Sequence, residues 1–216
     1  MKKIHLIFSQ IFFLLLLTIN PSFAQQPYQV EDIDMALIYY KLSGTQFPWK
    51  EIAQNYPEYR KASDEFARQD VLEKLKLRIE EQAKELMEGK KKSLAIITRM
   101  DIKEYDFDHA AFPLDFSENT YFSYASYPSV YEDIAVTFKN GSQFTMWPVS
   151  KEEARKITQQ IGSGREVVAT IEFIPVSAKS AKISYRDRMV IEVNIIKISF
   201  QSLDRKTKLG FIEAKK

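Results

Sequence analysis

The 216-residue chain contains no cysteine. It can therefore form no disulfide, it has no thiol nucleophile, and it cannot bind zinc or an iron–sulfur cluster through cysteine. Histidine is almost as scarce, because His5 lies in an N-terminal apolar stretch and His109 is the one imidazole after it. A Ser-His-Asp triad would have to use His109, and no Gly-x-Ser-x-Gly elbow accompanies it. Hydrolases of that type are disfavoured.

Other functional motifs are also missing. The sequence has no phosphate-binding loop, no dinucleotide fingerprint, no zincin or EF-hand spacing and no long internal repeat. We therefore assign no catalytic residue, no metal ligand and no cofactor. Positive and negative charges are also nearly balanced, since the formal net charge is +2 and falls to zero without Lys2 and Lys3. A nucleic-acid-binding chain carries a concentrated basic excess, so we expect no nucleic-acid partner.

The N-terminus has the pattern of a signal peptide. Lys2 and Lys3 precede a mostly apolar run over residues 4–19, and Ser22-Phe23-Ala24 supplies small residues at the −3 and −1 positions. We expect residues 1–24 to be removed and the mature protein to be periplasmic or secreted. An uncleaved N-terminal anchor is the alternative. No later stretch is long and apolar enough for a transmembrane helix.

Residues 25–92 are predicted to form a helical segment. Apolar positions at helical spacing predict a helix from Val30 to Leu42 that stops at Gly44, and a longer one from Glu58 to Glu88. One face of the longer helix carries an apolar stripe, formed by Leu72, Leu75, Ile79 and Leu86. We favour packing of this stripe on its own chain, with self-association through it as the alternative.

Residues 93–216 are predicted to form a β-rich domain. Strand patterns begin at Leu94, and Asn140-Gly141 favours a type I′ turn that pairs strands on its two sides. Ser150 and Glu153 form a capping box that starts one inserted helix. The fold class is thus α+β, with an N-terminal helical layer followed by a mostly antiparallel β domain. The sheet is either an OB-like, partly open barrel or an open sheet wrapped by helices.

One candidate site is the acidic segment that contains Asp106, Asp108 and His109. If the strand before it continues, Asp106 and Asp108 share one face, and Tyr105 and Phe107 share the other. Two carboxylates beside an imidazole could activate water or hold a divalent metal. A solvated strand end is the simpler interpretation, which we favour because no known motif spacing is present.

The other candidate site is a predicted aromatic loop. Five of its side chains are aromatic and are separated by small residues: Tyr121, Phe122, Tyr124, Tyr127 and Tyr131. Tyrosine offers a wide contact area with little side-chain entropy to lose, so such loops suit recognition. The simpler interpretation, which we favour, is that these rings cover the open side of the sheet.

Together these features favour an exported, non-enzymatic binding or structural module of the cell envelope. Its partner would be a protein, a peptide or a glycan of the envelope. The alternative is a carboxylate-based hydrolase or metal-dependent enzyme that uses the region from Asp106 to His109.

Overall fold

The computed structural model describes residues 26–88, 93–117, 119–124 and 134–215. The expected signal peptide lies outside these ranges, and so do Tyr127 and Tyr131 of the predicted aromatic loop. No helix within the described ranges is long and apolar enough to cross a membrane.

The N-terminal part of the chain forms a short strand and four helices. These are β1 (Tyr28–Gln29), α1 (Asp32–Ser43), α2 (Trp49–Ala53), α3 (Pro57–Arg60) and α4 (Glu65–Glu88). The prediction of one helix from Glu58 to Glu88 is wrong in its first part, because the helical conformation is interrupted between α3 and α4. The carboxylate of Asp64 accepts a hydrogen bond from the backbone N–H of Ala67 at 2.8 Å, which is the geometry of a helix N-cap. The predicted stop at Gly44 is confirmed by its left-handed φ of 69°.

The described residues from 93 onward form eight strands, one helix and a 3-10 turn. They are β2 (Leu94–Asp101), β3 (Ala111–Pro113), β4 (Tyr121–Tyr124), β5 (Ile134–Phe138), the 3-10 turn Gly141–Phe144, β6 (Met146–Pro148), α5 (Lys151–Ile161), β7 (Glu166–Ile183), β8 (Arg186–Gln201) and β9 (Lys208–Glu213). The predicted inserted helix is confirmed as α5. Ser150 caps it, since its hydroxyl accepts from the N–H of Glu153 at 3.2 Å and the Glu153 carboxylate accepts from the N–H of Ser150 at 3.1 Å.

Seven strands form one sheet in the order β1-β2-β7-β8-β5-β4, with β9 paired to the second half of β8. The β1–β2 and β5–β8 pairs are parallel, and the other pairs are antiparallel. A separate two-stranded ribbon consists of β3 and β6. The large sheet is not closed. The prediction of an α+β fold with a partly open or wrapped, mostly antiparallel sheet is therefore confirmed.

The predicted type I′ hairpin at Asn140-Gly141 is wrong. Asn140 has φ −108°, β5 pairs with β4 and β8, and β6 pairs with β3. The side-chain amide of Asn140 exchanges two hydrogen bonds with the backbone of Ile195, at 2.9 and 2.8 Å, so it acts as an extension of the β5–β8 pairing. A Cβ at Gly141 would lie 2.9 Å from the backbone oxygen of Ser117. This asparagine–glycine pair serves tertiary packing instead of a tight turn.

The helical layer packs on the sheet through α1, which contacts β7 and β8, while α4 packs against α1. The apolar stripe of α4 is buried in this layer. Its members Leu72, Leu75, Ile79 and Leu86 are all buried, and so is Ala83 of the same helix. Packing of the stripe on its own chain is therefore what the structure shows, and self-association through it would have to compete with these contacts.

A buried polar network ties α1 to α4. Asp34 is only 1% exposed, and its carboxylate accepts hydrogen bonds from the amide of Gln82 at 2.9 Å and the hydroxyl of Tyr28 at 3.0 Å. The backbone N–H of Glu31 donates to the same carboxylate at 2.9 Å, and the Tyr56 hydroxyl donates to Gln82 at 3.1 Å. Burial, together with the charge of Asp34, raises the pKa of Tyr28 to about 12, which keeps its hydroxyl a donor at neutral pH. Gln82 interrupts the apolar stripe because it serves this carboxylate.

Candidate functional site

The acidic segment forms a tight turn that leads from β2 into β3. The backbone of Asp106 exchanges hydrogen bonds with Ala111 at 2.8 and 3.2 Å. One carboxylate oxygen of Asp106 accepts from the N–H of Asp108 at 2.9 Å and from the N–H of His109 at 3.0 Å. A short aspartate side chain that bonds its own backbone in this way favours a turn over a continued strand. The face-sharing arrangement of a continued strand is therefore not present.

Asp106 and His109 also meet through their side chains. The Nδ1 of His109 lies 2.7 Å from the second carboxylate oxygen of Asp106. This hydrogen bond raises the pKa of His109, and the hydrogen bonds from the His109 side chain and backbone lower the pKa of Asp106. Asp108 contributes its backbone N–H, so the structure brings together one carboxylate and the imidazole. Within the described ranges, no group of three or more His, Asp or Glu side chains is placed to hold a metal ion.

A groove lies beside this turn, between Tyr105 and Phe107 on one side and α5 on the other. It has a volume of about 260 Å³ and is lined by Tyr105, Phe107, Lys151, Ala154, Arg155, Thr158 and Gln159. Phe107 is 72% exposed and forms one edge of the groove. The groove combines two aromatic rings with the cations of Lys151 and Arg155.

The aromatic wall of the groove is anchored to the interior by a chain of ring contacts. Phe107 meets Tyr105 edge to face at 5.1 Å, and Tyr105 meets Phe112 at 5.3 Å. Phe112 contacts Trp147 at 5.7 Å, and Trp147 stacks on Phe200 of β8 at 4.3 Å. Phe112, Trp147 and Phe200 are buried, so the exposed ring of Phe107 rests on a packed support.

A hydrogen bond fixes the wall to the start of α5. The hydroxyl of Tyr105 donates to the backbone oxygen of Val149 at 3.0 Å. Because Val149 directly precedes the helix cap, this bond fixes the position of the turn relative to α5. On the helix side, the Nζ of Lys151 lies 5.5 Å from the centre of the Phe107 ring, which is within range of a cation–π interaction. Both walls of the groove are thus held in place.

The predicted aromatic loop is partly a strand. Tyr121, Phe122 and Tyr124 belong to β4, which pairs with β5. Phe122 and Tyr124 pack against the hydrophobic core, and burial raises the pKa of Tyr124. Alternation along the strand turns Tyr121 the other way, where the guanidinium of Arg188 lies 5.4 Å from its ring centre. Tyr127 and Tyr131 are outside the described residues, so recognition by this segment stays a prediction.

No local pattern in the sequence indicates the groove. Lys151, Arg155, Thr158 and Gln159 recur at helical spacing, but on the polar side of α5 such spacing is ordinary for a solvated face, and Ala154 belongs to the buried face. Tyr105 and Phe107 lie two residues apart, and alternation alone places them only on the opposite face of the acidic segment. What identifies the groove is the contact between the turn and the helix, for which no local signal exists.

Comparison with known proteins assigns the segment that contains the groove to a family. A family model matches residues 50–160, just over half of the chain. The matched segment includes every residue that lines the groove, together with Asp106, Asp108 and His109, and it ends before β7 begins. No curated protein and no solved structure matches the chain. The chain belongs to the family described as a domain of unknown function, DUF4852.

Proposed function

We propose that this protein is an exported, non-enzymatic binding module of the cell envelope and that it holds a partner in the groove beside α5. The observation that carries the proposal is the exposed ring of Phe107, which stands on a buried aromatic support and next to two cations. Proteins commonly expose isolated apolar side chains, but a rigidly supported aromatic at the edge of a concavity is typical of a recognition site.

The composition of the groove supports binding. Aromatic rings and arginine are the side chains that contribute most to binding energy at interfaces, and here both lie along one surface. The support beneath Phe107 reduces the side-chain entropy that binding would cost. The partner would be a protein, a peptide or a glycan of the envelope, and the periplasmic or secreted location is supported by the signal-peptide pattern of residues 1–24.

The proposal is tested by capture of partners from an envelope extract with the mature protein and three variants. Phe107→Ala is expected to lose the partner that the wild type retains. Phe211→Ala is the matched control, because Phe211 is also exposed, at 55%, but lies on β9. Tyr121→Ala examines the aromatic strand.

The three variants give separate answers. Loss of the partner only in Phe107→Ala supports the groove. Equal retention by Phe107→Ala and the wild type contradicts it, and loss in Tyr121→Ala alone would move the binding site to β4. Circular dichroism spectra of all variants verify that they are folded.

A second candidate is a carboxylate-based hydrolase or metal-dependent enzyme that uses the region from Asp106 to His109. The observation in its favour is the 2.7 Å contact between His109 and Asp106, since a carboxylate beside an imidazole can orient it as a general base. The test is turnover of ester, peptide and glycoside substrates with and without added divalent metals. Turnover that disappears in Asp106→Asn and in His109→Ala supports an enzyme. Turnover that persists in both variants counts against it.

A further inference from the structure

The groove has a direction along α5. Its helix-side residues occupy positions 151, 154, 155, 158 and 159, which form one face over about two turns, or roughly 12 Å at 1.5 Å per residue. Lys151 and Arg155 lie toward the first turn, and Thr158 and Gln159 lie toward the last. Ala154 has the smallest side chain of the set, directly precedes Arg155 and is buried, so it forms part of the floor of the groove. The groove is therefore cationic along the first turn of α5, with an apolar floor there, and neutral but hydrogen-bonding at the other end.

Three carboxylates of the turn and of the first turn of α5 are engaged with other partners. Asp106 binds His109 at 2.7 Å, and Glu152 binds Lys156 at 3.0 Å. Glu153 accepts hydrogen bonds from the hydroxyl and the backbone N–H of Ser150. Their negative charge is thus partly compensated at close range.

The two cations of the groove differ from these carboxylates in their partners. Among the described residues, no carboxylate lies within ion-pair distance of Lys151 or Arg155. The capping box already uses N–H groups at the start of α5, so an anion here would be bound by side chains. Lys151 and Arg155 are separated by one helical turn, and both could donate to the same carboxylate.

We propose that the groove binds the carboxyl-terminal residue of a peptide whose last side chain is aromatic or large and aliphatic. This ligand class rests on the proposed binding function of the same groove. The terminal carboxylate accepts hydrogen bonds from Lys151 and Arg155, and the last side chain packs on Phe107 above Ala154. The preceding peptide unit reaches Thr158 and Gln159.

A terminal residue matches the dimensions of the groove. Its carboxylate and its side chain branch from the same Cα, so both are presented within a few ångströms of each other. The volume of about 260 Å³ lies below the range of roughly 300–1,000 Å³ typical of pockets that enclose a whole drug-sized ligand. One side chain with its carboxylate fits such a space, and the open far end lets the rest of the peptide leave.

The test is fluorescence anisotropy with a labelled hexapeptide that ends in Phe, prepared once as the free acid and once as the C-terminal amide. The free acid is expected to bind at least about tenfold more tightly, because the amide cannot form charge-assisted hydrogen bonds with the two cations. Arg155→Gln should weaken binding of the acid by about tenfold and Lys151→Gln by several fold, and both should weaken binding of the amide much less than binding of the acid. Lys156→Gln is the matched control, since Lys156 neighbours Arg155 but pairs with Glu152.

Each contrary result has its own meaning. If acid and amide bind equally and Phe107→Ala abolishes both, the carboxylate is not recognised, and this inference fails while the proposed function stands. N-acetyl-phenylalanine that competes as strongly as the hexapeptide would make a small carboxylate the ligand and overturn the assignment to a peptide. A peptide that ends in Ser and binds as tightly as the Phe peptide would overturn the role of the aromatic wall.

Absence of binding by every peptide would also overturn the inference. The proposed function would then be decided by partner capture with Phe107→Ala, which depends on no assumption about the carboxylate. Circular dichroism of each variant shows whether a loss of binding reflects a loss of fold.

Discussion

Two units pack on the same sheet, and they are held to the rest of the protein by different kinds of contact. The helical layer is held by an apolar stripe that surrounds a polar network, in which the buried carboxylate of Asp34 accepts hydrogen bonds from Gln82 and Tyr28. The unit formed by the β3–β6 ribbon and α5 is held by rings, from Phe112 through Trp147 to Phe200. A buried polar group needs a specific hydrogen-bond partner, whereas a series of ring contacts can be lengthened by one more ring.

This difference has a consequence for function. The polar network is centred on one buried carboxylate, because Tyr28, Glu31 and Gln82 all donate to Asp34. The series of ring contacts instead runs from the interior through Tyr105 to the exposed Phe107. The helical layer therefore contributes stability and specificity of packing, and the ribbon unit carries the surface that we propose for recognition.

The largest expected effect is a loss of stability from a substitution in the unit formed by the β3–β6 ribbon and α5, which we call the ring-fastened unit. Trp147 is 1% exposed and contacts both Phe112 and Phe200, so Trp147→Ala should lower the free energy of unfolding by about 3–5 kcal/mol through lost burial and the cavity that remains. Unfolding in guanidinium chloride, followed by tryptophan fluorescence of Trp49 and by circular dichroism, measures the loss. Phe211→Ala should change it by less than about 0.5 kcal/mol because that ring is largely exposed. A loss of similar size in both variants would mean that the buried ring contacts of Trp147 stabilise the protein no more than the exposed ring of Phe211 does.

The next effect concerns the polar network. Asp34→Ala removes the shared acceptor and leaves the amide of Gln82 and the hydroxyl of Tyr28 without it, which should cost about 2–3 kcal/mol of unfolding free energy. Asp32→Ala removes the same charge from the same helical turn at an exposed position, and should cost far less.

A double-mutant cycle with Gln82→Ala sharpens the comparison between the two units. A coupling energy of about 0.5–3 kcal/mol between Asp34 and Gln82 is expected for residues that share one network. Additive losses would show that the two side chains stabilise the protein independently. In that case Asp34 and Gln82 would not act as one network.

The parts of the fold that could be predicted from the sequence are those specified by neighbouring residues. Ser150 and Glu153 form their capping box within one helical turn, and Gly44 ends α1 through its own backbone conformation. The α+β class follows from a change in apolar period near residue 93. The domain boundary itself, drawn between residues 92 and 93, stays a prediction.

The parts that could not be predicted depend on distant partners. Asn140 resembles a turn residue, yet its amide binds the backbone of Ile195, 55 residues later. The actual two-residue turn with positive φ lies at Ser184 and Tyr185, with φ of 51° and 67°, where no glycine or asparagine indicates it. The long β7–β8 pairing imposes that turn, so tertiary structure overrides local preference.

The candidate site was unpredictable for the same reason. The groove exists because Tyr105 binds the backbone oxygen of Val149 across 44 residues and thereby places Phe107 against α5. The sequence drew attention to Asp106 and His109, which lie in the correct turn, but it could not show that the neighbouring rings of Tyr105 and Phe107 face a helix. Proximity in sequence located the region, and tertiary contact defined the surface.

The smallest expected effect is at the exposed end of the ring-fastened unit, where Asp106 and His109 hold the turn. The hydrogen bond to Asp106 raises the pKa of His109 above its ordinary 6.5, so the contribution of the pair to stability is complete below pH 6.5 and is lost as the pH rises through the raised value. Hydrogen bonds from His109 lower the pKa of Asp106 below its ordinary 3.8, so the contribution is also lost as the pH falls through that lowered value. The turn is therefore most stable between about pH 3.8 and 6.5.

An NMR titration of the imidazole measures this directly, because a chain without its first 24 residues has His109 as its one histidine. Asp106→Asn should move the pKa of His109 back toward 6.5, since it removes the charged acceptor that lies 2.7 Å from Nδ1. Asp108→Asn should move it less, because the Asp108 charge is the weakest of the influences that raise this pKa. If the two variants shift the pKa equally, the contact between His109 and Asp106 does not dominate, and the turn that supports Phe107 is held by its backbone hydrogen bonds instead.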